Sequence, residues 1–376
     1  MLEILADTHI IRIGPRFAVS FQRTLRVPDT GRTYPLPPGL GAFPIYAAAH
    51  YGDVFTGTAA GPASTGRAPI GDASNDRAGN VFFIPMYQRE ALWLGFRGKS
   101  WHPNAVMIFA GGVNAISGAI SGTISGAISA VASGRSAASA SGEDDLQGGH
   151  VLDDHPQNYI VTPLQPWLDG FNTGDGTVRQ FVAMPLGLGY TMEAAITGRE
   201  KYGRIQITVF EPKRGRFPEE PPPEISPEKR PLAGMGGGQF ARMGLGAGGV
   251  MRQKIYPDPH GLDAWDPANY GEVTIHIVNS AQFREITGQD PPPTPVDAAV
   301  YTLHGLPWFE LFDADKGDIP GAAPLAEAKT VRERDLERGI AEEAAAFEVS
   351  GEQVKRLDDR DNGPGHLRDR RNKQEP

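Results

Sequence analysis

The chain has 376 residues, among them 47 Gly, 33 Pro and no Cys, so it is long enough to bury a core but holds no disulfide scaffold, thiolate metal site or thiol nucleophile. Its formal net charge of −9 argues against a nucleic-acid grip, which needs an excess of Lys and Arg on one face; a local basic patch stays open. With 40% hydrophobic and 22% charged residues it has the composition of a globular chain, not of a disordered one.

The first residues include Glu3 and Asp7, with no basic leader and no long apolar run, so no secretion signal is expected and a cytoplasmic location is the default reading. From Ile10 to Gly98 the pattern is one of strands and turns. Phe17, Val19 and Phe21 alternate with small or polar residues, which puts one strand face on a core. Val81–Tyr87 and Ala91–Phe96 are apolar on both faces, as in the middle of a two-layer structure, and Pro85 should mark a bulge or an edge.

Residues 111–150 form a low-complexity insert, in which Ile116, Ile120, Ile124 and Ile128 are each followed by Ser; no core role is expected there. Alternation returns at Tyr159–Thr162. Tyr190, Met192, Ala194 and Ile196, then Ile205, Ile207 and Val209, predict a hairpin with Gly198 to Gly203 as its loop. Residues 213–250 are rich in Pro and then in Gly and read as a long loop. Val273, Ile275 and Ile277 alternate with Thr274 and His276, which places His276 on the exposed side of a strand, and further strand is expected from Val300 to Phe312.

Val331 to Val349 changes to helical spacing, with Leu336, Ile340 and Phe347 on one stripe. Beyond Ser350 the mixture of both charges predicts a mostly disordered or briefly helical tail. The expected fold is therefore mainly β: an antiparallel two-sheet sandwich-like domain over residues 1–330, with long low-complexity loops at 111–150 and 213–250, a C-terminal helix and a charged tail over 331–376.

Few motifs carry chemistry. Gly244-Leu-Gly246-Ala-Gly-Gly249 has the spacing of a dinucleotide fingerprint but lacks the strand before it and the helix after it. Gly98-Lys99-Ser100 resembles the end of a phosphate loop, yet the upstream glycine position is Trp93. Asp313, Asp315 and Asp318 gather carboxylates suited to a hard cation such as calcium, although the twelfth position of a calcium loop is Pro324; the alternative is a solvated turn. His150, Asp153, Asp154 and His155 mix imidazoles and carboxylates at the rim of the insert and could hold zinc or iron only if held rigidly.

Trp167, Asp169 and Asp175 combine an aromatic ring with turn acids and are the candidate small-ligand platform; the other reading of the ring is core. No Gly-x-Ser-x-Gly elbow and no His-Glu-x-x-His pair occurs, so no catalytic residue is named. Ala105 to Gly134 contains no charged side chain and repeats Gly at the spacing that membrane helices use, but its Ser and Gly content favours an insert outside the membrane.

Arg16–Arg26, Thr33–Gly41, Arg179–Tyr190, Met251–Tyr256 and Leu306–Phe309 together resemble an uncharacterised family of bacterial and fungal β-rich proteins, some of them labelled integral membrane proteins. The resemblance spans about residues 10 to 330 and implies one domain. It implies no activity and no site residues, and the Ile-Ser-Gly repeat stands outside it. Expected roles are a non-enzymatic structural or protein-interaction β module without nucleic acid as partner, a small-ligand or calcium-binding β protein, or a membrane-associated protein anchored through residues 105–134.

Overall fold

The computed structural model describes residues 1–54, 80–121, 151–220, 242–311, 316–340 and 347–357. Its strands pair in two runs. In the first, Phe17–Thr24, Ala91–Arg97, Thr177–Pro185 and Arg242–Arg252 follow one another antiparallel. In the second, Val81–Met86 lies parallel to Trp265–Asn279, which is antiparallel to Arg204–Pro212, which is antiparallel to Asn104–Ala110. The runs join at one corner, where Arg242 and Met243 pair with Val278 and Ile277.

The two-residue period of a strand sends alternate side chains to opposite faces. Phe17, Val19 and Phe21 of the first run therefore meet Val106, Ile108, Ile205, Ile207, Val209, Val273, Ile275 and Ile277 of the second in one buried cluster. That meeting of inner faces makes the molecule a mainly antiparallel, sandwich-like β fold. The intervening residues Met107, Phe109 and Phe210 face outward and are covered by Tyr159, Val161 and Trp265, while Val182 and Met184 are covered by Tyr190 and Val331. Each such side chain taken wholly out of water contributes about 1.5–3 kcal/mol, so the satellite clusters explain why strands apolar on both faces fold without exposing either. Pro85 sits past the two-residue pairing of Tyr46–Ala47 with Phe83 and Phe82, where among the described residues the strand is laddered on one side only.

Several expectations are corrected. Met192–Thr197 is a helix, not half of a hairpin: the Thr191 side chain accepts from the Ala194 N–H, and Gly198 at φ 72 closes the far end. Capping at both ends outweighs an alternation of apolar residues too short to separate a period of two from 3.6. Arg204–Pro212 pairs with Asn104–Ala110 and Trp265–Asn279.

The later part of the Gly-rich stretch is no loop: Arg242–Arg252 is an 11-residue strand, whereas 221–241 lies outside the described residues. A Cβ at Gly246 would stand 2.7 Å from the Tyr190 carbonyl oxygen and 3.0 Å from Val331 Cγ2, and one at Gly249 would stand 2.5 Å from the Pro28 carbonyl oxygen. These glycines let neighbouring chain press onto the strand, which a side chain would prevent. His276 is buried, not exposed, because its strand is laddered on both sides and Phe83, Val278 and Phe283 cover the outer face.

The start of the low-complexity insert belongs to the core. Val113 pairs with Ala110 and Ile116 is buried, whereas 122–150 lies outside the described residues. Ala298–Leu303 is a helix capped by Asp297, whose carboxylate accepts from the Ala299 and Val300 N–H groups, so strand resumes only at Trp308–Leu311. The C-terminal helix spans Val331–Glu337, and its inward face is Val331 and Asp335. Leu336 and Ile340 are exposed, and Gly339 at φ 68 follows the last turn. In the tail, Val354–Leu357 is a strand parallel to Trp308–Leu311.

Candidate functional site

The residues singled out in the sequence are mostly committed to the fold. Asp313 and Asp315 lie outside the described residues. Asp318 accepts from the Gly176 N–H at 2.6 Å and from the Ile255 N–H at 2.8 Å, one bond on each oxygen, and so pins a turn and an extended segment to the chain after Trp308–Leu311. Trp167 is fully buried with its ring edge-on to Trp93 at 6.3 Å, and Asp169 is 1% exposed. Asp175 is exposed, at φ 52 in the turn between Gly170–Gly174 and Thr177–Pro185. The three share no exposed surface.

Around Trp167 the fold uses glutamine amides as substitute peptide groups. Gln253 accepts from the Asp169 N–H at 2.9 Å and donates to the Asp169 carboxylate at 2.8 Å. Gln165 accepts from the Tyr256 N–H at 3.1 Å, and Gln157 from the Asp258 N–H at 2.9 Å. An extended segment with no strand neighbour is thereby stitched to the sheet, since buried peptide groups need partners. Asp153 is half-buried and accepts from the His155 N–H, Asp154 and His155 are exposed, and His150 lies outside the described residues. Among the described residues no group of three or more His, Asp or Glu is placed to hold a metal ion. No helix among them is long and apolar enough to cross a membrane, and Ala105 to Ala110 is core strand.

Buried ionisable groups serve as clamps. Glu90 meets Arg23 at 2.6 Å and accepts from the Tyr87 N–H at 2.9 Å; burial pushes its pKa up, against the pull of Arg23 and that amide. Glu193 is likewise raised by burial, although the N–H groups of Lys201, Tyr202 and Gly203 all donate to it. Asp335 takes two bonds of 2.6 Å from the Arg89 guanidinium and one of 2.7 Å from the Tyr190 hydroxyl. Burial raises its pKa, but these bonds and the charges of Arg89 and Arg26 outweigh it, so the net shift is downward. His102 is 3% exposed. Its Nδ1–H donates to the Pro218 carbonyl at 2.7 Å, and Nε2 stands 3.2 Å from Arg16 and 3.1 Å from Glu211.

Exposed polar side chains also line a cleft of about 550 Å³. Its floor is one face of the parallel pair Trp308–Leu311 and Val354–Leu357. Glu310 stands opposite Arg356 there, and Trp308 opposite Val354, so the two-residue period sends all four side chains to the same face. One wall is Arg32, Thr33, Tyr34 and Pro35. Pairing of Thr33 and Tyr34 with Val250 and Met251 holds it, as do reciprocal backbone bonds of 2.8 and 2.9 Å between Leu36 and Phe309. The opposite wall runs from Phe347 to Gly351, with the Phe347 ring 5.2 Å from Tyr34 and 5.5 Å from Trp308.

Arg32 pairs with Glu348 at 2.8 Å and Arg252 with Glu310 at 3.0 Å. Their guanidinium-bearing side chains keep 55% and 62% of their surface in solvent, where such pairs contribute only about 0–1 kcal/mol. Among the described residues, three arginines and two glutamates line the cleft, on a chain of net charge −9. None of these residues was singled out by sequence motif. Comparison of the chain with protein-family models, with curated proteins and with solved structures finds no match.

Proposed function

We propose that this protein is a non-enzymatic interaction module, whose β sandwich holds the arginine-lined cleft open to a partner protein. The observation that carries this reading is the division of polar chemistry. The buried carboxylates of Glu90, Glu193 and Asp335 are saturated by bonds that hold the fold together, whereas Arg32 and Arg252 are exposed, weakly paired and gathered around aromatic walls. Arginine and aromatic side chains in one concave place are the composition of protein-binding surfaces. Exposed guanidinium groups also favour a partner that offers carboxylates.

The test is capture of partners from native extract by the tagged full chain and, in parallel, by an Arg32→Glu, Arg252→Glu double variant. Both positions are solvent-exposed, so the variant should fold and melt like the parent. A partner retained by the parent and absent from the variant supports the reading; identical partner sets from both remove the cleft from it.

A further inference from the structure

We propose that the cleft takes an extended acidic segment of its partner, with an apolar side chain between the acidic ones. This rests on the interaction-module reading and names what the site recognises. Arg32, Arg252 and Arg356 belong to separate parts of the chain that line the same cleft. A segment with acids at more than one position can engage more of them than a single carboxylate can, and guanidinium groups favour such planar oxyanions over neutral polar groups.

The resident pairs leave room for this exchange. Glu348 is 83% exposed where it meets Arg32, so an incoming carboxylate replaces an interaction that is itself largely solvated. Phe347 and Val354 add apolar surface to the lining that holds the arginines, with Tyr34 behind Phe347. Tyr34 is buried against Phe347, which gives a side chain entering there a firm wall.

The wetness of the cleft decides between a polypeptide and a small molecule. Sites for small molecules enclose most of the ligand surface, yet Arg32 and Arg252 hold more than half of their own side-chain surface in solvent. Such groups suit a chain laid along the cleft, whose outer side stays in water.

The experiment titrates the full-length protein with a fluorescein-labelled peptide Glu-Glu-Leu-Glu-Glu and follows anisotropy. Comparison peptides replace every Glu by Gln, or Leu by Ser. The proposal expects saturable binding that weakens as salt rises, none for the Gln peptide, and weaker binding for the Ser peptide. It also expects a loss of about tenfold or more in an Arg32→Gln, Arg252→Gln variant, while Lys213→Gln, outside the cleft, leaves binding unchanged.

Equal affinity of the parent and the double arginine variant would overturn it. So would complete displacement of the peptide by inorganic phosphate or citrate at concentrations near the peptide's own, which would mark a small-anion site. Should the peptides fail while the capture experiment still yields a cleft-dependent partner, the acidic segment is wrong and the interaction module stands. Should no cleft-dependent partner appear either, both fall.

Discussion

Glu90, in the turn that leads into Ala91–Arg97, and Arg23 on Phe17–Thr24 pair where both side chains are nearly out of water, at 1% and 9% exposure. Taking two charges out of water costs several kcal/mol each, and their attraction offsets this only while both are present. Arg23→Ala should therefore destabilise by about 3–5 kcal/mol in urea unfolding, because the Glu90 carboxylate stays behind unpaired. Arg23→Met with Glu90→Leu should recover most of that loss. If the single and double variants are equally unstable, the pair is not what the site depends on.

Asp335 gives a pH-dependent test at the same scale. Its folded pKa lies below the ordinary 3.8, so its contribution is fully present above that value and is lost as pH falls through the lower folded pKa. Asp335→Asn should cost about 1.5–3 kcal/mol at neutral pH, and the gap from the parent should close as pH falls through the lowered folded pKa of Asp335. Glu90 and Glu193 carry the opposite sign. Burial raises their folded pKa values above the ordinary 4.5, so what protonation contributes is present below 4.5 and disappears as pH rises through each folded value. A gap for Asp335→Asn that is unchanged between pH 7 and acid would contradict the ionised clamp.

Among the elements, the instructive one is Arg242–Arg252. Composition reads its glycines as loop because they have nothing to bury, yet the missing side chains at Gly246 and Gly249 are what let the Tyr190 carbonyl, a Val331 methyl and the Pro28 carbonyl come against the strand. Gly246→Val should force the Val331–Glu337 helix off the sheet and cost at least about 1–3 kcal/mol. Hydrogen exchange over 331–337 should then accelerate more than exchange in the Phe17–Thr24 strand; equal acceleration, or none, would contradict the close approach. The same limit explains the hairpin. Alternation in Tyr190, Met192, Ala194 and Ile196 is visible in sequence, but the capping by Thr191 and Gly198 that turns Met192–Thr197 into a helix is a local hydrogen-bond matter that hydrophobic pattern does not weigh.

For the whole molecule, the two-sheet architecture was legible because its strands alternate at Phe17, Val19 and Phe21 and at Val273, Ile275 and Ile277, and because strands apolar on both faces, such as Val81–Met86, announce a middle layer. The cleft was not legible. Arg32, Arg252, Glu310 and Phe347 are brought together by one parallel pairing of two residues, one isolated bridge at Leu36 and Phe309, and a four-residue strand in what reads as a charged tail. No local spacing encodes such a meeting, and an unremarkable Arg on a polar stretch carries no sign of it. Trp167 drew attention for the opposite reason: a turn rich in acids follows it, while the ring itself is core.

The measurement that tests the cleft most directly uses the absence of native Cys. A single Thr33→Cys, exposed on the cleft wall, is labelled with a photoactivatable cross-linker, mixed with native extract and irradiated beside an Ala268→Cys control, a position exposed outside the lining. The account predicts a discrete cross-linked protein at position 33 that is missing at 268 and is lost when Arg32 and Arg252 are also replaced by Glu. The same adduct from both positions, or its persistence without the arginines, would contradict it.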